Sequence, residues 1–212
     1  MRPLARVQRG LEAMYRVETG VEVGDFMVGT SYRDGINPAR KAREQLFVVE
    51  AHGEMNIALY IEEGALANLV ANDPARQLGD HNLGDFLLAI EGVSHFIYTV
   101  CCARAERPVS QLELELQAEV DKYVTCLLTV APDGGLSELL RHRLFGDASY
   151  EPDLDVDEHD RYRVANDNAL RYATYLEASY VRPRKIPEML AELRRFYRHG
   201  LAAKLAMIAR AA

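Results

Sequence analysis

LGDFLLAIEGVSHFIYTVCCARAERPVSQLELELQAEVDKYVTCLL, Leu83 to Leu128, is the stretch whose reading decides the fold. Its second half alternates as Leu112-Glu113-Leu114-Glu115-Leu116, which by itself suggests a strand. The residues before it argue otherwise. Ser110 and Glu113 have capping-box spacing, and Val109 and Leu114 suit a hydrophobic staple. Leu112, Leu116, Val120, Tyr123 and Leu127 then recur at steps of three and four, the period of a helix. The first half reads as an apolar helix from Leu83 to Ala105, and Glu106-Arg107-Pro108 turns the chain. So short a connection makes the two helices antiparallel neighbours. Residues whose numbers sum to about 215 then lie at one height, which places His95 near Val120 and Glu91 near Val124.

Charged groups inside this oily pair carry the functional question. Glu91 and His95 are i, i+4 neighbours on one face, and Glu115, Glu119, Lys122 and Cys126 form a stripe on the second helix. A buried ionisable group must be paired, ligated or shifted in pKa. Three arrangements satisfy that requirement. One is a closed polar network, with His95 bonded to Glu91 or Ser94 and Glu119 paired with Lys122. Another is a divalent transition-metal site of Glu91, His95, Glu115 and Glu119, because carboxylates and imidazole on facing helices suit iron, manganese or zinc. The third is a metal-free acid/base site of Glu91, His95, Glu119 and Lys122 opening to a pocket. The chain has neither the Glu-x-x-His pairs of ferritin-like sites nor a His-Glu-x-x-His motif.

Upstream of the hairpin the pattern changes. Leu4, Val7, Leu11 and Met14 mark an amphipathic first helix, and Val21–Val23 and Phe26–Val28 read as short strands. Ser31 to Arg43 reads as a loop with at most a helical turn. Two apolar runs, Leu46–Val49 and Ile57–Ile61, flank His52-Gly53, where Gly supplies the positive φ of a hairpin turn. This centre pairs Val48 with Ile57 and Leu46 with Leu59, and leaves His52 at the exposed tip. Gly64 to Val70 reads as a short helix. The expected architecture is therefore α+β: a small N-terminal antiparallel sheet with its hairpin at 45–62, packed on a helical bundle over 83–212. Residues 1–212 form one domain, with a sheet-containing part (1–80) and a helical part (81–212).

Downstream, Pro132-Asp133-Gly134-Gly135 is a turn and Leu136 to Phe145 a short helix. The acidic stretch Asp147 to Asp160 includes Asp153, Asp155 and Asp157, but Gly and Glu are missing where a calcium loop needs them. It reads as a solvated linker ending in a helix cap. A helix over about 157–180 follows. Pro187 opens a last helix whose apolar stripe (Ile186, Met189, Leu193, Phe196, Leu201, Leu205, Ile208) runs through Gly200.

The net charge of −7 argues against general nucleic-acid binding. From Arg182 onward, however, eight Lys and Arg face only Glu188 and Glu192. Within that basic region Arg194 and His199 resemble the Arg-x4–6-His pattern of HEPN-type ribonucleases, with Arg195 where that family usually has a small polar residue. The resemblance covers these two residues and implies RNA binding or cleavage through them. Cys101, Cys102 and Cys126 give no disulfide or zinc spacing, the N-terminus lacks a signal-peptide apolar core, and Glu91 and His95 interrupt the most apolar run. These features suggest a cytoplasmic protein with no membrane association. Without a catalytic motif, the expectation is an interaction or regulatory protein, self-associating or covered by a protein partner along its last two helices. The alternatives are an enzyme using the hairpin cluster and an RNA-binding protein using the basic face.

Overall fold

A computed structural model describes residues 2–36, 41–51, 53–130, 134–146 and 155–211. The chain opens with α1 (Arg2–Tyr15) and a 3-10 turn (Val23–Phe26) leading into the two-residue strand β1 (Met27–Val28). Next come α2 (Thr30–Ile36), the hairpin strands β2 (Glu44–Ala51) and β3 (Glu54–Ile61), and α3 (Glu63–Ala71). The paired helices are α4 (Leu83–Arg104) and α5 (Gln111–Thr129). Then follow α6 (Gly134–Phe145), α7 (Val156–Leu176), a π turn (Glu177–Val181), α8 (Ile186–Arg198) and α9 (Leu201–Ala211).

The α+β reading stands, and the hairpin has the register its sequence predicts. Val48 pairs with Ile57 and Leu46 with Leu59, and Gly53 takes φ +80°. His52, at the tip, lies outside the described residues. The sheet is mixed rather than antiparallel, because β1 joins β3 in parallel at Met27–Leu59 and Val28–Tyr60, giving the order β1-β3-β2. Val21 is in no strand, and Val23 is in the 3-10 turn.

Helix α4 is the axis of the molecule. It is flanked by α1, α3, α5 and both hairpin strands, so it is buried nearly all round; Ile90, Val93 and Phe96 have no exposed surface. Each such side chain contributes about 1.5–3 kcal/mol by leaving water. This helix is long and apolar enough to span a bilayer, yet most of it is inside the protein. The antiparallel heights hold: Ser94 Oγ donates to Asp121 Oδ2 at 2.6 Å. Ser110 caps α5, its Oγ accepting from Glu113 N at 3.2 Å. The reciprocal half of the box is missing, because the Glu113 carboxylate turns inward to accept from Tyr98 (2.6 Å) and Arg107 (2.7 Å). A full box forms instead at α7, between Asp155 and Glu158. Of the acidic linker, 147–154 lie outside the described residues, as do 131–133 of the Pro132 turn.

The single C-terminal helix expected from the stripe is two helices. His199 is extended (φ −88°, ψ 146°) between α8 and α9. The Tyr98 hydroxyl, whose proton goes to Glu113 at 2.6 Å, also stands 3.3 Å from the carbonyl oxygens of both Tyr197 and His199 at the break. The break lets α9 turn Lys204 inward. Its Nζ donates to Gln117 Oε1 at 2.7 Å and stands 4.2 Å from the Tyr98 ring centre. Burial depresses this amine to about 7, against the pull of Glu113 and Asp121. Gln117 in turn donates to Asp121 at 2.9 Å, and Tyr15 OH donates to the same carboxylate. Burial pushes Asp121 up to about 6, although Ser94, Tyr15 and Gln117 all favour its charged form. This polar layer ties α1, α4, α5 and α9 together.

Candidate functional site: a carboxylate–imidazole cluster at the floor of a cleft

His95 points from α4 toward the seam between the hairpin and α5, with 7% of its surface exposed. Its Nδ1 is 3.6 Å from Glu44 Oε1 and its Nε2 is 3.5 Å from Glu115 Oε2. Glu44 is the first residue of β2, paired with Ile61. It reaches the helix because Gly92, three residues before His95, has no side chain: a Cβ there would stand 3.1 Å from Glu44 Cγ and 3.0 Å from Ile61 Cδ1. Glu91, one turn before His95, completes a group with Glu115, and one ligand atom from each of Glu91, His95 and Glu115 lies within 4.8 Å of the others.

Beside this group, Lys122 Nζ donates to Glu119 at 2.6 Å and to Glu91 at 3.2 Å. The structure thus brings Glu91, His95 and Glu115 together, and sets Glu119 in an ion pair with Lys122. His95 bonds to neither Glu91 nor Ser94, whose hydroxyl goes to Asp121. Sequence reasoning missed Glu44. Its position at the head of a strand facing a glycine of α4 was the only signal.

The electrostatics are unbalanced. Glu44, Glu91, Glu115 and Glu119 face one ammonium and one imidazole, so two negative charges are left over even when His95 is protonated. Burial alone would lower the imidazole's pKa, but Glu115 and Glu44 push it well above its usual value. Burial raises Glu44 despite His95, and raises Glu119 despite Lys122. Glu91 is lowered, because Lys122 and His95 together outweigh its burial. Burial acts against Lys122 too, but Glu119 and Glu91 raise it.

The cluster forms one end of a cleft of about 520 Å³ between the sheet, the helical hairpin and the start of α7. Leu46, Val48, Met55, Val109 and Leu114 supply apolar wall, and Arg107, Arg161 and Tyr162 supply polar wall. Among the described residues, eight buried side-chain polar atoms make no hydrogen bond, and five of them belong to this cleft: Glu44 Oε1, Gln45 Oε1, His95 Nε2, Thr99 Oγ1 and Arg161 Nε. Buried polar groups are normally satisfied, because leaving one unpaired costs about 1–3 kcal/mol. Five such atoms around one space give the cleft a polar lining that water or a polar ligand satisfies.

The C-terminal pair is differently placed. Arg194 Nε donates to Met14 O at 2.8 Å and Arg198 Nη2 to Tyr15 O at 3.1 Å, so both cations neutralise the C-terminal end of α1. His199 lines a separate shallow cleft with Glu192, Arg195 and Arg210, to which Arg194 does not contribute. Of the apolar stripe along α8 and α9, Met189, Leu193, Phe196 and Ile208 are buried, and Ile186, Leu201 and Leu205 are half-buried. All three cysteines are free thiols.

No protein-family model matches the chain, and neither a curated protein nor a solved structure does.

Proposed function

We propose that the protein is a cytoplasmic metal-dependent enzyme whose site is the cluster at the floor of the cleft, with Glu91, His95 and Glu115 holding a divalent transition-metal ion. The observation that carries this reading is His95 Nε2: buried, without a hydrogen bond, and 3.5 Å from a carboxylate oxygen in a group with surplus negative charge. Donors about 2.1 Å from a tetrahedral ion stand about 3.4 Å from each other, so this separation suits a shared cation better than a direct bond. With Nε2 on the ion His95 is neutral, so the four carboxylates and Lys122 leave three negative charges, of which a dication cancels two. On the far side of the ring, Glu44 is placed to orient Nδ1–H, as carboxylates commonly do behind a metal-bound histidine. Three protein ligands leave a position open to the cleft, the arrangement of catalytic rather than structural sites. A bound ion would supply Lewis acidity and a water ionised near neutral pH. The chain's own residues supply the rest: Lys122 holds Glu91 charged, and Glu44 faces Nδ1 of His95.

A second reading uses the same side chains without an ion. With its pKa pushed up between Glu115 and Glu44, His95 serves as a buried imidazolium that clamps the hairpin to α5. A protein partner or self-association would use the half-buried Ile186, Leu201 and Leu205 of the C-terminal stripe, since Met189, Leu193, Phe196 and Ile208 pack within the chain.

The test is metal analysis of protein purified without chelator, followed by calorimetric titration with Mn²⁺ and Zn²⁺. One ion per chain is expected. Glu115→Gln and His95→Ala should abolish tight binding, and Glu44→Gln should weaken it about 10- to 100-fold. Failure to bind either ion, or unchanged binding by His95→Ala, would overturn the metal reading and leave the clamp.

A further inference from the structure

We infer that the cleft takes a small oxyanion, a phosphate or carboxylate group, bound between the cation site and Arg161; this rests on the metal reading above. Two independent features of the cleft lead to it. The first is the state of its two arginines. Arg107 is fully engaged, Nη1 with Glu113 at 2.7 Å and Nη2 with Tyr98 OH at 2.9 Å and Cys102 Sγ at 2.8 Å. It is wall rather than receptor. Arg161 is different. Its Nε is buried with no hydrogen bond, and its Nη2 is 3.7 Å from Glu158 Oε1, beyond hydrogen-bonding reach. The other Glu158 oxygen accepts from Asp155 N in the cap of α7, so Glu158 holds Arg161 by a long ion pair without a hydrogen bond. A guanidinium presents N–H groups in a fixed fork that matches two oxygens of an oxyanion. With only 20% of its side chain exposed, Arg161 has exchanged most of its water for a long ion pair with Glu158 and the Tyr162 ring at 6.0 Å, and its buried Nε has no hydrogen bond.

The second feature is the sign of the floor. Glu44 and Glu115 line the same cleft, so its far end repels anions unless a cation lies between. A bound cation would offer an open coordination position at that end and Arg161 offers a guanidinium in the same cleft, so an anionic group would meet a cationic partner on each side, between the carboxylates Glu44, Glu50, Glu115 and Glu158 that also line it. Thr99, 5% exposed with its hydroxyl unpaired, stands one turn beyond His95 on α4 and can donate to the same group. The apolar wall of Leu46, Met55 and Val109 then receives whatever body the anionic group carries. Arg161 acts here as a binding residue and is not assigned a part in any bond change.

Relaxation of ³¹P in inorganic phosphate and ¹³C in acetate, measured with Mn²⁺-loaded protein, tests this directly, because a bound anion next to Mn²⁺ relaxes fast. Enhanced relaxation is expected for at least one of the two, and the tighter binder names the anion. Arg161→Gln should weaken that anion at least tenfold and leave Mn²⁺ affinity unchanged, with Arg161→Lys in between. Mn²⁺ binding with no response from either anion would overturn this proposal and spare the metal site. Anion binding that needs no Mn²⁺, or that survives Arg161→Gln undiminished, would also overturn it. A protein that binds neither Mn²⁺ nor Zn²⁺ would overturn both proposals.

Discussion

Replacing Lys204 with Met should flatten the dependence of stability on pH between 7 and 9. The amine is fully buried, bonded to Gln117 and packed on Tyr98 and Phe196, and burial holds its pKa near 7 in the folded protein against an ordinary 10.5. Between those two values the unfolded chain carries a proton that the folded chain has lost, so folding stability rises with pH. The slope approaches about 1.4 kcal/mol per pH unit once the folded amine is neutral. Allowing for the half-protonated state near pH 7, wild-type protein should gain about 2 kcal/mol between pH 7 and pH 9 relative to Lys204→Met. Urea unfolding followed by far-UV circular dichroism at pH 7, 8 and 9 gives the two curves. Their difference cancels what the thiols and tyrosines contribute to both. The absolute offset at one pH mixes the lost Gln117 bond with the relieved desolvation, so the slope is the decisive quantity. Parallel curves would refute the claim that Lys204 is stripped of its charge by burial. They would mean that Glu113 and Asp121 keep it an ammonium throughout.

Two further substitutions test the frame around the site. Asp121→Ala leaves Tyr15, Ser94 and Gln117 without their common acceptor and should cost about 3–5 kcal/mol in urea unfolding, the range for breaking a buried charged network; a loss under about 1 kcal/mol would mean the layer is not cooperative. Gly92→Val places methyl groups where Ile61 and Glu44 now approach α4, so a loss of about 1–3 kcal/mol is expected. The same variant should weaken metal binding by moving Glu44, and unchanged Mn²⁺ affinity would separate Glu44 from the site.

Most of the frame could be read from local chemistry. Gly53 set the hairpin register, and Ser110 with Pro108 set the helical turn, because a tight turn or a cap depends on a few adjacent residues. What was not readable depended on distant ones. Glu44 lies 51 positions before His95, and nothing in its own neighbourhood says that it faces inward. The parallel pairing of β1 is two residues long, too short to leave a pattern. The break at His199 was hidden because the apolar stripe continues across it with Lys204 in line. The turn there brings Lys204 onto the buried Gln117, a partner 87 positions away that no local pattern reveals. Within the cluster the sequence supplied Glu91, His95 and Glu115 by helical spacing. It also supplied Glu119, whose closer partner proved to be Lys122.

The two carboxylates that bracket His95 come from opposite sides of a joint, one from the head of a strand and one from the hairpin's second helix. Peeling the strand pair away from α4 would therefore take Glu44 from behind His95 and leave Glu91, His95 and Glu115 on the two helices. By reciprocity, anything that draws on Glu44 pulls the strand pair down with the free energy it gains. Occupancy and docking are one equilibrium seen from two ends, and an immature chain with its strands unseated offers its ligand an incomplete receptor.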